Sequence, residues 1–420
     1  MDRGSATPRN GSGVTDKKQL KARIRARMAK TGESYTAARR HIVGADDVPR
    51  DGSWAFQGGR HPYTSVVARL TGVSEPLVFL AGGGIGAGYI LWEFKHHDTA
   101  VLTLGFRNTW QYHDRWLDRT LERLDVSYDT EQTGGAKGAA KRLAQELDAG
   151  RPCVVVPDQQ RIGYWRLPAF LDGHGGHPVI AYGRAGGFIK VDDRGRAPIL
   201  VPEERMQEAR GRVSSYKNAL WVIGEAKPDL AAAVREGLRD CHRHLTQKSD
   251  SFSLPAWRKW ARTMTDAKHA KGWPKVFADG RGLAGALLSI WEGVEPVGID
   301  GGNLRDLFAD GLSQAAGLLG EERLAGLAAE FTRIHGMWHE LAEAAVPAEV
   351  YGRARELTAA IRQAVLEEGE AGEAEAAELW ELRARLDAEP ADADFADLGA
   401  RLLAIHEAET AAVARLGEIV

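Results

Sequence analysis

The stretch DGHGGHPVIAYGRAGGFIKVDD, residues 172–193, sets a histidine before an apolar run, a glycine-containing turn behind that run, and two acids at the end of the next. Two strands joined by such a turn fold back antiparallel, and directly paired side chains then stand only about 5 Å apart. An imidazole opening one strand and a carboxylate closing the other can act as a base and its orienting acid. The carboxylate fixes the imidazole tautomer and stabilises the imidazolium formed when a proton is taken up. His177 is the base candidate and Asp193 the orienting acid, with Asp192 one residue away and facing the opposite side of the strand. The competing reading is a surface histidine beside a turn.

Other patterns compete for attention. In AGGGIGAGY, Gly82, Gly84 and Ala87 satisfy the looser G-x-G-x-x-A form of a dinucleotide loop. No clear βαβ unit follows, so close packing of a strand or helix is the better expectation for these glycines. His96 and His97 with His113, or His242 with His244, lack the carboxylate spacing of a metal site and read as exposed histidines. Trp92, Trp110, Trp116 and Trp165 either line a pocket or belong to the core. Cys153 opens the apolar CVVVP, the setting of an inert core cysteine. No cofactor and no metal are expected.

The elements that must position His177 and Asp193 lie between Trp54 and about Gly224, where the pattern is mixed α and β. A helix is expected over about 64–71, then the glycine-rich apolar run and the strand TAVLTLG. Helices follow at YHDRWLDRTLERLDV and GAAKRLAQELDAG, then strands at PCVVVP, HPVIAYG and GFIKVDD, with NALWVIG expected to close the sheet. Helices first and antiparallel strands afterwards make an α+β domain. After Lys227 helical spacing dominates, which predicts an all-α domain of about 120 residues. Beyond Pro347 comes further helix interrupted by acidic stretches, expected as a hairpin or an oligomerisation element.

With 420 residues and 44% hydrophobic content the chain can bury a substantial core, and it carries no repeat. No run approaches the roughly 18 apolar residues of a membrane span, the first residues have no signal-peptide core, and two cysteines are too few for a disulfide framework. A cytoplasmic protein without a membrane role is the expectation. The net charge of −3 conceals a polarity: residues 1–50 hold 12 Lys+Arg against 5 Asp+Glu, and residues 346–420 hold 7 against 17. Within the first, residues 17–41 read as a basic helical hairpin, with a helix from about 17 to 30, suited to nucleic acid or an acidic partner.

Taken in order, GGRHPYTS, GGGIGAGYILWEF, LGFRNTWQ, GRPCVVVPDQQ, GGHPVIAYG and VDDRGRAP, then SFSLPAWRKWARTM, EPVGIDGGNLRDLFADGL and MWHELAEAA, resemble the butirosin biosynthesis protein H-like family over about residues 54–345. The resemblance implies a papain/NlpC-like (cysteine-peptidase-like) α+β domain over 51–225 followed by an all-α domain of uncharacterised function over 226–346. A disordered tail and basic hairpin over 1–50 and an acidic helical tail over 347–420 flank them. It also implies acyl transfer from an acyl carrier protein or other thioester donor to a small amine in natural-product assembly. His177 and Asp193 match triad positions, whereas the nucleophilic cysteine that follows the histidine corresponding to His61 is replaced by Pro62. Thr64 and Ser65 are the nearby hydroxyls able to substitute, and helix N–H groups near 63–65 could hold an oxyanion if an amine attacks the thioester directly. The rival expectation is a pseudoenzyme that binds a ligand or scaffolds a partner, and a homo-oligomer is compatible with either.

Overall fold

Proline at position 62 does structural work at once. Its fixed φ and missing N–H suit the first turn of a helix, and in the computed structural model α1 (Pro62–Thr71) starts there, two residues before the expected point, and ends at Gly72 with φ 74°. The structure describes residues 54–94 and 99–420, with helical backbone at 25–27 and 29–30 inside the helix expected over 17–30. The rest of 17–41, His96, His97 and the side chain of His113 lie outside the described residues.

After α2 (Glu75–Ala81), strands β1 (Ile85–Phe94) and β2 (Thr99–Arg107) form a separate antiparallel hairpin. A Cβ at Gly88 or Gly105 would collide with the Trp110 indole. The glycines therefore let an aromatic ring lie flat on a hairpin, and the dinucleotide pattern has no βαβ unit behind it.

Helix α3 (His113–Arg123) leads to β3 (Val126–Glu131), α4 (Ala136–Asp148), β4 (Cys153–Val155) and the single turn α5 (Gln159–Ile162). Strands β5 (Val179–Ala185), β6 (Phe188–Asp192) and β7 (Ile199–Pro202), helix α6 (Glu203–Arg212) and β8 (Leu220–Ala226) complete this half. The sheet runs β3-β8-β4-β5-β6-β7, antiparallel throughout. Strand β8, expected at the end of the sheet, is interior, between β3 and β4. Its Trp221 is fully buried and donates to Asp118 at 2.9 Å.

The remainder is helical: α7 (Leu230–Leu245), α8 (Pro255–Thr265), α9 (Trp273–Val276), α10 (Leu283–Val294), α11 (Arg305–Leu319), α12 (Arg323–Ala345), α13 (Ala348–Glu368), α14 (Glu373–Ala388) and α15 (Phe395–Ile419). Residues Phe56–Val420 make one compact unit. The acidic C-terminal segment belongs to its core: Leu357, Val365, Leu402 and Ile405 are buried, and Glu409 is completely so. Glu409 accepts from Arg305 Nε at 2.7 Å and Nη2 at 2.9 Å, and from the indoles of Trp338 at 2.8 Å and Trp257 at 3.0 Å. Arg305 also donates to the carbonyls of Gly86 (3.0 Å) and Asn303 (2.8 Å). One buried ion pair with its hydrogen bonds filled thus joins α15, α11 and the β1–β2 hairpin, the condition under which buried charge is tolerated. Among the described residues no single helix is long and apolar enough to cross a membrane.

Candidate active site

Strand β5 begins just after His177-Pro178, and the backbone N–H of His177 donates to the Pro157 carbonyl at 2.9 Å. Asp158 organises the loop between them: its Oδ1 caps α5 through the Arg161 N–H (2.8 Å) and its Oδ2 accepts from the Gly173 N–H (2.9 Å). The structure brings His177 and Asp193 together, with Nε2 2.8 Å from Asp193 Oδ1 and both side chains about 1% exposed or less. Asp192 ends β6 opposite Ile180 and is buried, but the bond to His177 belongs to Asp193.

Three further donors converge on the same carboxylate: Tyr164 Oη at 2.7 Å, Trp165 Nε1 at 3.2 Å and Arg194 Nε at 3.1 Å. Burial favours the protonated acid, yet the charges of His177 and Arg194 and the bonds from His177 and Tyr164 outweigh it and hold Asp193 far below the usual carboxylate range. An ionised carboxylate only accepts. In neutral His177 the proton therefore sits on Nε2, and the lone pair is on Nδ1, which faces Gln159 Nε2 at 3.4 Å. The sequence pattern marks Trp165 as a pocket or core candidate but does not mark Gln159 or Tyr164. The available signal was Asp158, an N-cap residue directly before them.

The N-terminus of α1 is tied to this pair through Arg194, whose Nη1 donates to the Arg60 carbonyl at 3.3 Å. Arg194 Nη2 is buried without a partner among the described residues. His61 caps the helix: its Nδ1 faces the Thr64 N–H at 3.5 Å and its carbonyl accepts from the Ser65 N–H at 3.0 Å. Burial, then the charges of Arg107, Arg194 and His177, keep His61 well below the ordinary imidazole range, hence neutral. Thr64 Oγ1 donates to Glu75 Oε1 at 2.7 Å, and Ser65 Oγ donates to the Pro62 carbonyl at 3.1 Å. Both hydroxyls are thus bonded within or beside the first helical turn. The helix N–H groups are also less available than expected, because His61 takes those of Thr64 and Ser65 and Pro62 has none.

Cys153 is fully buried in β4 opposite Ala181. His177 lies four residues before Ala181, about 13 Å along an extended chain at 3.3 Å per residue. Burial pushes the Cys153 thiol up to about 12. Beside the dyad a cavity of about 330 Å³ is lined by Gln159 and Trp165 from the sheet half and by Asp300 and Arg362 from the helical half. Of the four tryptophans, Trp165 lines this cavity, Trp116 is core, Trp110 lies on the hairpin glycines and Trp92 is 48% exposed. Among the described residues no group of His, Cys, Asp and Glu could hold a metal, and His242 and His244 do not form one.

Two family descriptions match the chain: Butirosin biosynthesis protein H, N-terminal, over residues 61–194, and the domain of unknown function DUF4872 over residues 204–379. No curated protein shows significant similarity to it. The first match begins at the capping histidine His61 and ends at Arg194, and so encloses the dyad and the helix N-terminus tied to it, while the second supplies the far wall of the cavity. This chain is a member of the butirosin biosynthesis protein H-like family, with the family's N-terminal domain and its C-terminal domain of unknown function.

Proposed function

We propose that this protein is an acyltransferase of papain/NlpC-like fold, active in natural-product biosynthesis, that passes an acyl or aminoacyl group from a carrier-protein thioester to an amine without forming a covalent enzyme intermediate. The observation that carries the reading is the buried His177–Asp193 pair with its basic Nδ1 turned to Gln159 at the cavity. In the reaction the amine attacks the thioester carbonyl and His177 Nδ1 takes a proton from the attacking nitrogen. The C–S bond then breaks, and the leaving thiolate receives the proton from His177. Asp193 stays ionised throughout and stabilises the imidazolium. Gln159 Nε2 is the donor that supports the oxyanion, since the Thr64 and Ser65 N–H groups are already bonded.

His177→Ala should lower turnover with acyl thioesters by roughly a hundredfold or more, with no acyl adduct detected on the wild-type chain by mass spectrometry. An adduct on Cys153 that forms and decays at the catalytic rate would refute direct attack. The second reading, a ligand-binding pseudoenzyme, is favoured by Pro62 together with the bonded hydroxyls of Thr64 and Ser65. Tight ligand binding with no turnover of any acyl thioester would select it.

A further inference from the structure

The far wall of the cavity holds two charged groups that do not pair with each other. Arg362, on α13, donates Nη1 to the Gly298 carbonyl at 2.8 Å and makes no ion pair among the described residues. Asp300, exposed in the loop after α10, lines the same cavity and is likewise without an ion pair among the described residues. Glu292, also at the cavity, is already bound to Arg383. Burial, and then the charge of Arg194, push Arg362 down to about 10, with Asp193 and Asp300 opposing. Its guanidinium is therefore short of a counter-charge. The loop that carries Asp300 is seated on the chain entering α1: a Cβ at Gly301, where φ is +85°, would collide with the Arg60 carbonyl. Asp300 is held near the helix N-terminus that Arg194 ties to the dyad.

We propose that this cavity receives the acceptor amine as a free amino acid, its carboxylate on Arg362, its ammonium on Asp300, and its side chain against Leu104, Ile299, Ile361 and Leu379. The inference rests on the acyl-transfer reading and names its acceptor class. A zwitterion satisfies both unpaired charges and leaves the net charge of the cavity unchanged. A phosphate dianion would also fit the planar fork of Arg362 but be repelled by Asp300, whereas an amino acid sets its ammonium there. The volume, about 330 Å³, is at the small end for ligand pockets and suits a ligand of this size. The chemistry balances. The ammonium first releases one proton to solvent and the free amine forms the amide C–N bond. Its second proton passes through His177 to the departing thiolate, giving amide and free thiol.

Binding to the full chain, measured by titration calorimetry, tests this with leucine, leucinamide, 4-methylpentanoate and inorganic phosphate as probes. Leucine should bind at least tenfold more tightly than leucinamide, which lacks the carboxylate, and than 4-methylpentanoate, which lacks the amine. Arg362→Met should erase the first difference and Asp300→Asn the second, each with a melting curve to show the variant is folded. If Arg362→Met does not fold, the wild-type probe series and Asp300→Asn decide alone. Leucinamide binding as well as leucine, leucine failing to bind, or phosphate displacing leucine would each overturn the proposal. Leucine bound without acyl transfer would refute the transferase reading and keep the pocket assignment. Transfer to amines lacking a carboxylate at equal rates in wild type and Arg362→Met would do the reverse.

Discussion

Asp193→Asn removes one charge and almost no volume from a carboxylate that accepts from His177, Tyr164, Trp165 and Arg194. Arg194 is left with its side chain about 1% exposed and no ionised partner on the adjacent residue. Removing one member of a buried, hydrogen-bonded pair typically costs about 3–5 kcal/mol, and that is the loss expected at pH 7. The pH dependence follows from the direction of the Asp193 shift, which is downward on folding. Its stabilising contribution is therefore complete above the unfolded-state value, about 3.9, and is lost as pH falls toward the folded-state value. Below about pH 3.9 the stability gap between wild type and variant should shrink by about 1.4 kcal/mol per pH unit. Groups remote from Asp193 cancel in this difference. Urea unfolding of the two proteins at pH 7, 5, 4 and 3, followed by tryptophan fluorescence, measures it. A gap below about 1 kcal/mol at pH 7, or one unchanged between pH 4 and 3, would refute the assignment of Asp193 as the ionised anchor of the site.

Thiol titration should find Cys153 and Cys241 unreactive in the folded protein, since burial raises both thiols, and Cys153→Ser should leave acyl transfer unchanged; rapid labelling of the native chain would contradict this. Glu409→Gln keeps the shape but strips the charge facing Arg305, and should destabilise by about 3–5 kcal/mol in denaturant unfolding; a loss within about 0.5 kcal/mol, the scale of a surface change, would show the pair contributes little. If the basic segment 17–41 binds nucleic acid, affinity should fall steeply between low and high salt as counterions are released, and salt-independent binding would exclude that role.

The hairpin that pairs His177 with an acid was legible because strand, turn and strand follow one another locally, and pairing geometry then leaves few choices. The donors around Asp193 were harder to read. Tyr164 and Trp165 come from an irregular stretch after α5, where no period marks which way a side chain faces. Strand β3 went unrecognised because VSYDTE exposes much of its polar character at the edge of the sheet, and β8 was misplaced because sequence order does not give strand order. Arg362 and Asp300 join the cavity only through long-range packing of the helical half onto the sheet half. The acidic composition of the C-terminal segment reads as a helical tail, but composition averages over faces, and the face holding Leu402, Ile405 and Glu409 is core.

The ion pair between Arg305 and Glu409 also bears on how the chain can be made. Arg305 lies inside the match to the domain of unknown function, which stops at residue 379, thirty residues short of its partner. During synthesis, at about 5–20 residues per second, the guanidinium, the Trp257 and Trp338 indoles and the carbonyl of Gly86 leave the ribosome well before the carboxylate that neutralises them. The helical core cannot close over Arg305 at that stage without burying an uncompensated charge. Final consolidation must wait for α15, so the limits by which the family is recognised are not the limits of an autonomously folding piece.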